Sequence, residues 1–261
     1  MKNRQNYVPA ERQERSLQYI ETHGSGQISA LSKWMDVSEA TIRRDLDLLH
    51  QTGNVERTHG GAISTRSGSA YERQYDERLT LMEAEKKRIV SAALEQISPG
   101  DTIFLDSGTT CYYLGCALGK IPNLTVFTYD LMVAYYASLH TTSELIVTGG
   151  VRRHGFSNVL LGNQIIRLLQ GLRIDKVFLG ADAVDIDFGV SNSTIQEAEI
   201  KTEAISRGGQ TFLLADHTKF GKVALAKVCN LEQIDAFITD SEIDSGYLEK
   251  LQTRGCRVIK A

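Results

Sequence analysis

Residues 37–62 read VSEATIRRDLDLLHQTGNVERTHGGA, and a helical period gives way to a hairpin within that run. Ser38 carries the short side-chain oxygen of a helix N-cap, and Glu39 puts an acid in the first turn. At roughly 100° per residue, Leu46 lies about 40° and Leu49 about 340° round from Ile42, which makes one apolar stripe. Ala40, Arg43, Arg44 and Asp47 fall on the other side. Gly53 ends the helix, and NVERTHGGAIS (54–64) reads as two short strands turning at Gly60-Gly61, with Arg57 and His59 beside the turn. Toward the N-terminus, a first helix is expected from about Ala10 to His23, with Leu17 and Ile20 facing inward and Gly24 stopping it. A second, Ser29 to Met35, carries Leu31 and Trp34, and Asp36-Val37 make the tight turn before the third. Three helices and a hairpin make a winged helix-turn-helix. Its third helix would offer small and basic side chains to a major groove, where arginine bonds bidentately to guanine or phosphate. Arginines on any solvated helix look the same, so the pattern alone leaves both readings open.

Toward the C-terminus the character changes. STRSGSAYER (64–73) lacks an apolar period and reads as a linker. The organisation expected is a winged helix-turn-helix over 1–63, a linker over 64–78 and a second domain over 79–261. In that domain short apolar runs recur: TIFLD (102–106), LTVFT (124–128), ELIVT (144–148), DKVFLGA (175–181), QTFLLAD (210–216), DAFITD (235–240) and CRVIK (256–260). Stretches of helical length, such as 131–140 and 195–207, separate most of them. Strands alternating with helices predict an α/β domain with a mainly parallel sheet covered on both faces, so the fold class is two-domain, α+β followed by α/β. Ligands of such sheets sit at the carboxyl ends of the strands, which directs attention to the loops after Leu105, Phe127, Val147, Leu179 and Leu214.

Charge alone would not suggest nucleic acid. The net charge is −3 over 261 residues, and residues 1–73 carry ten basic against nine acidic side chains. No apolar run approaches the roughly 18 residues of a membrane helix, and the polar start MKNRQNYVPAERQER shows no signal peptide. Cys111, Cys116, Cys229 and Cys256 form no CxxC pair, so reduced buried thiols in a cytoplasmic protein are expected, with no metal and no cofactor.

Several strand-end clusters carry chemistry. DSGTT (106–110) puts Asp106, Ser107, Gly108, Thr109 and Thr110 between a strand and a helix, where backbone N–H groups favour an anion. Thr128 ends the second strand. Gly149 and Gly150 precede Arg152, and GADAVD (180–185) supplies Asp182 and Asp185. Glu197 and Lys201 lie four apart on one helix face, and ADHTKFG (215–221) supplies Asp216, His217 and Lys219. Taken singly, each reads equally as a helix cap or a surface salt bridge. Together they would bring acids for sugar hydroxyls and bases for a phosphate to one sheet edge.

The TIRRDL and RTHGGA motifs within 37–62 closely resemble the helix-turn-helix signature of DeoR-family bacterial repressors. DSGTT, the Gly149-Gly150 pair, DKVFLGAD, the EA…K helix and DHTKFG with a later ITD resemble that family's sensor domain, so the likeness covers nearly the whole chain. It implies operator DNA contacts at Ser38, Thr41, Arg43, Arg44, Arg57 and His59. It also implies a sensor related to ribose-5-phosphate isomerase folds that releases a sugar operon when a phosphorylated sugar binds, in a homodimer or homotetramer. One departure stands out: the family usually has Thr-Asn where this chain has Thr128-Tyr129. The rival reading is a sugar-phosphate isomerase, because GADAVD is similar to the isomerase segment GADEVD. The isomerases follow it with a lysine in the next glycine-containing loop, and here that loop, FGVSNST, has none; Lys201 lies further on. A retained pocket with an incomplete catalytic set points to a sensor rather than an enzyme. A Ser107–His217–Asp216 hydrolase lacks a GxSxG elbow.

Overall fold

The computed structural model describes residues 7–23, 25–58, 60–64, 75–153 and 158–261. The chain divides into two compact units, residues 1–71 and 72–261.

The first unit runs α1 (Pro9–His23), β1 (Ser25–Gln27), α2 (Ile28–Met35), α3 (Glu39–Gln51), β2 (Val55–Thr58) and β3 (Gly61–Ser64). The α3 stripe read from the sequence is the buried one: Ile42, Leu46 and Leu49 meet Ile20, Leu31, Met35 and Val55 in a single core. Trp34 lies outside that core, 52% exposed, with its ring 5.1 Å from that of Tyr19. Asp36 turns the chain with φ of 53°, the left-handed conformation a short polar residue tolerates, and Ser32 Oγ donates to Val37 O at 2.6 Å across that turn. The wing has a third strand, in the order β1-β3-β2, all antiparallel. Strand β1 is too short to show an alternation in sequence. Gly61 lets it approach, because a Cβ there would lie 2.0 Å from Gly26 O. Beneath the core, Arg12 grips Asp45 with two bonds, Nε–Oδ2 at 2.5 Å and a terminal guanidinium nitrogen to Oδ1 at 3.0 Å, and Asp45 is buried. That pair ties α1 to the face of α3 opposite its basic side chains.

The second unit opens with α4 (Tyr75–Thr80) and α5 (Glu83–Leu94). Helix α4 begins inside the stretch 64–78 read as a linker and runs two residues past it, and residues 65–74 of that stretch lie outside the described residues. A single turn and a half carries too little periodicity to register in sequence; buried Tyr75 and the Lys86 ammonium, which donates to Arg78 O and Leu81 O, hold it. There follow β4 (Thr102–Leu105), α6 (Thr109–Ala117), β5 (Thr125–Thr128), α7 (Leu131–His140), β6 (Glu144–Val147), β7 (Val151–Arg152), β8 (Leu160–Leu161), α8 (Asn163–Gln170) and β9 (Ile174–Gly180). The chain finishes with β10 (Ala183–Asp185), β11 (Gly189–Asn192), α9 (Ile195–Arg207), β12 (Gly208–Leu214), β13 (Ala226–Cys229), β14 (Ala236–Thr239), α10 (Ser245–Thr253) and β15 (Val258–Lys260).

All seven strands read from the sequence form one parallel sheet in the order β15-β14-β12-β9-β4-β5-β6. Side chains alternate between its faces: Phe104, Val177, Leu179 and Leu213 join one core, and Ile103, Leu105, Phe178 and Phe212 join the other. From β4 the chain winds outward through β5 and β6; from β9, on the other side of β4, it winds the opposite way. The sheet therefore reverses between β4 and β9, and the crevice at the carboxyl ends of that pair is where such sheets hold ligands. A small antiparallel sheet, β10-β11-β13, stands beside it.

Replacing Arg12 with Ala strands the buried Asp45 carboxylate and is expected to lower the stability of the first unit by about 2–4 kcal/mol. Replacing the pair together, Arg12→Met with Asp45→Leu, is expected to cost much less. Urea unfolding of the full chain, followed by Trp34 fluorescence, measures both; equal losses from the two variants would exclude an uncompensated charge as the cause.

Candidate functional site

The carboxyl ends of β4 and β9 meet around one buried ion pair. Asp106 follows β4 and is fully buried; its Oδ2 lies 2.8 Å from Lys201 Nζ and accepts from Gly180 N at 2.8 Å. Its Oδ1 accepts from the Tyr129 hydroxyl at 2.6 Å. Lys201 comes from α9 and spends its remaining donors on Gly180 O and Asn192 Oδ1, both at 2.9 Å. Burial works against its charge, but Asp106, Glu197 and Asp182 outweigh that and hold the ammonium above the ordinary lysine range. Glu197, one helical turn earlier, is also buried. It accepts from Ser107 Oγ at 3.3 Å, Asn192 Nδ2 at 3.4 Å and Arg153 at 2.9 Å. The spacing of four placed Glu197 and Lys201 on one face, and that face turns inward, so neither is a surface salt bridge.

A second group surrounds this pair. Asp182 accepts from Ser193 N at 2.8 Å and Ser193 Oγ at 2.6 Å. Burial opposes its ionisation, but Lys219, Lys201 and the Ser193 bond hold its carboxyl below the usual range. Asp216 caps the turn His217–Lys219 through Thr218 N at 3.0 Å and is likewise lowered, burial being overcome by Lys219, Thr218 and Lys86. Lys86 is buried, and its ammonium is pushed down to about 8: burial dominates, Lys219 and Arg78 add repulsion, and Asp216 opposes them. Three cations of α4, α5 and the 217–219 turn thus share one field with Asp182 and Asp216.

The DSGTT loop bends at Gly108, with φ of 102°, a conformation only glycine adopts freely. Gly108 N donates to Asp130 Oδ2 at 3.2 Å, and Asp130 Oδ1 caps α7 through Met132 N and Val133 N. Burial raises the Asp130 carboxyl against these three donors. Thr109 and Thr110 open α6 and are buried, and Thr128 Oγ1 accepts from Asp130 N at 3.2 Å. Gly149 and Gly150 take φ of 71° and 135°. Arg152 does not join the cluster: it is exposed on β7 and meets Asn158 at 3.5 Å. Its neighbour Arg153, just past the end of β7, turns inward to Glu197 instead. His217 Nδ1 bonds Asp240 Oδ1 at 2.9 Å, away from Ser107.

Sequence reasoning missed Asn192, Ser193, Asp130 and Lys86, and of the pair Arg152-Arg153 it took Arg152 for the site. Asp130 had a signal, an acid immediately before a helical run. Asn192 and Ser193 reach the site only because β11 folds back on β10, and Lys86 only through burial of α5 side chains.

In the first unit, Ser38 caps α3 by accepting from Thr41 N at 3.2 Å, with the two hydroxyls 2.8 Å apart. Arg43 is exposed and pairs with Glu39 at 2.8 Å; Arg44 is exposed beside it. Arg57 bonds Asp47 at 2.9 Å and Gly61 O at 2.5 Å, so it pins the wing to α3. His59 lies outside the described residues.

Comparison with known proteins matches residues 12–68 to the DeoR-like helix-turn-helix domain and residues 82–241 to the DeoR C terminal sensor domain. The chain is 32% identical over 249 residues to the "Uncharacterized HTH-type transcriptional regulator YulB" of Bacillus subtilis (strain 168), covering 95% of both chains. It is 30% identical over 250 residues to the "HTH-type transcriptional regulator GolR" of Listeria innocua, covering 96% of this chain and 98% of that protein. Among solved structures, a D-ribose-5-phosphate isomerase in complex with phospho-erythronic acid aligns at a TM-score of 0.40 and 21% identity, over 53% of this chain and 54% of its own.

The depressed Lys86 gives a pH signature. Below about 8 both folded and unfolded chains carry the ammonium and the folded state bears its burial cost. Between about 8 and 10.5 only the unfolded chain still binds that proton, so stability rises with pH there. Urea midpoints of wild type are expected to show this rise, and Lys86→Met to flatten it; an unchanged slope in the variant would place the titration elsewhere.

Proposed function

The chain belongs to the DeoR family of helix-turn-helix transcriptional regulators, and from that premise we propose that it represses a carbohydrate operon and releases the operator when a phosphorylated sugar or related metabolite binds its second unit. The observation that carries this reading is the cluster at the strand reversal, where lysines and carboxylates from five elements converge beside a glycine-bent helix start. Lys219, Lys86 and the N–H groups at Thr109 and Thr110 are the phosphate end. Asp182 and the polar groups around Ser107 and Glu197 are the hydroxyl end. Asp106 and Lys201 satisfy each other, so they position these groups rather than grip the ligand. The same engagement argues against turnover: both Asp106 oxygens are occupied, and Glu197 holds Arg153, Asn192 and Ser107, leaving neither carboxylate poised as a base.

At the DNA, Arg44 is the base-reading candidate on α3, with Arg43 able to exchange Glu39 for phosphate. Ser38 and Thr41 fix the helix start that enters the groove, and Arg57 holds the wing in place; His59, read from the RTHGGA motif, is the further contact proposed for the wing. A homodimer or homotetramer presents paired α3 helices to a repeated site. The effector must bind more tightly to a conformation that spaces these helices badly, since equal affinity for both would shift nothing.

Fluorescence anisotropy with DNA from beside its own reading frame, titrated with a panel of sugar phosphates, tests both halves. Arg44→Ala is expected to weaken operator binding by about 10- to 100-fold while leaving effector-induced thermal stabilisation intact. Lys219→Ala is expected to keep operator affinity and lose release. Wild-type affinity in the first variant would exclude the α3 face, and wild-type release in the second would exclude the phosphate end.

A further inference from the structure

Helix α7 breaks the rule that a surface helix is polar on its outer side. Its ten residues, LMVAYYASLH, include no formal charge, and only Ser138 and His140 are polar. A helix apolar on every side belongs in an interior. Val133, Ala134 and Ala137 are indeed buried against the sheet, yet Leu131, Tyr135 and Leu139, one stripe at a spacing of four, are 37%, 58% and 59% exposed. Other surface helices of this unit behave normally: α5 carries the exposed pair Lys87–Glu83, and α9 carries Arg207–Glu203.

Beside α7 the sheet ends at β6, which pairs on one side only, with β5, among the described residues. Its sequence ELIV holds no lysine or proline to discourage another strand; its one charge, Glu144, stands at its start, and Val147 at its end is 41% exposed. The opposite edge, β15, is guarded by Arg257 and Lys260, the usual protection for a free edge. The stripe and Val147 expose roughly 400 Å² of apolar surface, the size at which a patch marks a protein contact and about half of one side of a standard interface.

We propose that α7 and the β6 edge form a two-fold interface with a second copy of this chain. The missing charge selects that occupant. A two-fold axis brings each side chain near its own copy, so a charged patch would repel itself, whereas an uncharged one meets itself freely. Anionic DNA finds no cation on α7 or β6, and the α7 stripe offers a charged partner no counter-charge, Glu144 standing at the start of β6. The interface supplies the second recognition helix that a paired operator requires.

Analytical ultracentrifugation of the full chain tests this, comparing wild type with Tyr135→Glu/Leu139→Glu. Both positions are exposed, so the far-UV circular dichroism of the variant is expected to stay that of wild type. Its dissociation constant is expected to rise by about 100-fold or more, taking dimers to monomers, or tetramers to dimers. Independently, Ser138→Cys is expected to give a covalent dimer with a short bis-maleimide, absent from wild type, which decides the matter even where the double variant misfolds. A wild type that is monomeric at every concentration, a double variant with wild-type mass, or a Ser138→Cys chain that does not cross-link each overturns the assignment.

Discussion

A buried charge pair, Asp106 with Lys201, is the constraint on which the second unit depends. Taking a carboxylate and an ammonium out of water costs several kcal/mol each, and mutual attraction repays this only when every remaining donor and acceptor is satisfied. Here they are. Gly180 offers its N–H to Asp106 and its carbonyl to Lys201; Tyr129 closes the other carboxylate oxygen; Asn192 closes the ammonium. These partners come from β9, the loop after β5, and β11. The pair therefore fixes β4 against β9, seats α9 on the sheet and draws the antiparallel sheet inward. A small displacement of any one of these elements would leave a buried ion short of a partner, so the requirement makes the arrangement specific as well as stable.

The first unit uses the same physics at smaller scale. Arg12 and Asp45 lock α1 across α3, Ser38 fixes where α3 begins, and Arg57 fastens the wing to its flank. Charged residues that resemble a nucleic-acid contact in sequence thus divide into two kinds. Arg57, whose partner lies on another element, fastens the wing, whereas Arg43 and Arg44 stand exposed on α3. In both units polar groups that look functional in sequence are in part structural, because their bonds hold separate elements together.

Most of the architecture was legible along the chain. The stripe Ile42, Leu46, Leu49 and the cap at Ser38 are local facts, and a local period survives folding unchanged. All seven strands of the parallel sheet announced themselves as apolar runs, because a strand buried on both faces has no polar positions to interrupt it. Elements that fail this test were silent. Strand β1 has three residues, α4 has six, and β10, β11 and β13 alternate too briefly or carry too many polar residues to register. The sidedness of single positions was equally hidden: Arg152 and Arg153 are equivalent in a motif, and only the packing of α9 beneath the end of β7 gives Arg153 a buried partner in Glu197.

What the sequence determined by itself was therefore the set of elements, their order and the chemistry available at the strand ends, since these rest on periodicity, capping and residue type within a few positions. What only the tertiary structure decided was who meets whom. Glu197 and Lys201 are four apart, and their shared face follows from helical geometry, but that this face looks at Asp106, some ninety residues away in sequence, follows from the sheet reversing between β4 and β9. The same holds for Lys86, whose depressed charge depends on the burial of α5, and for α7, whose apolar composition reads as core until the sheet ends beside it and leaves one stripe uncovered. Long-range proximity is set by packing and by the cost of burying unpaired charge, and neither quantity is carried by any short stretch of the chain.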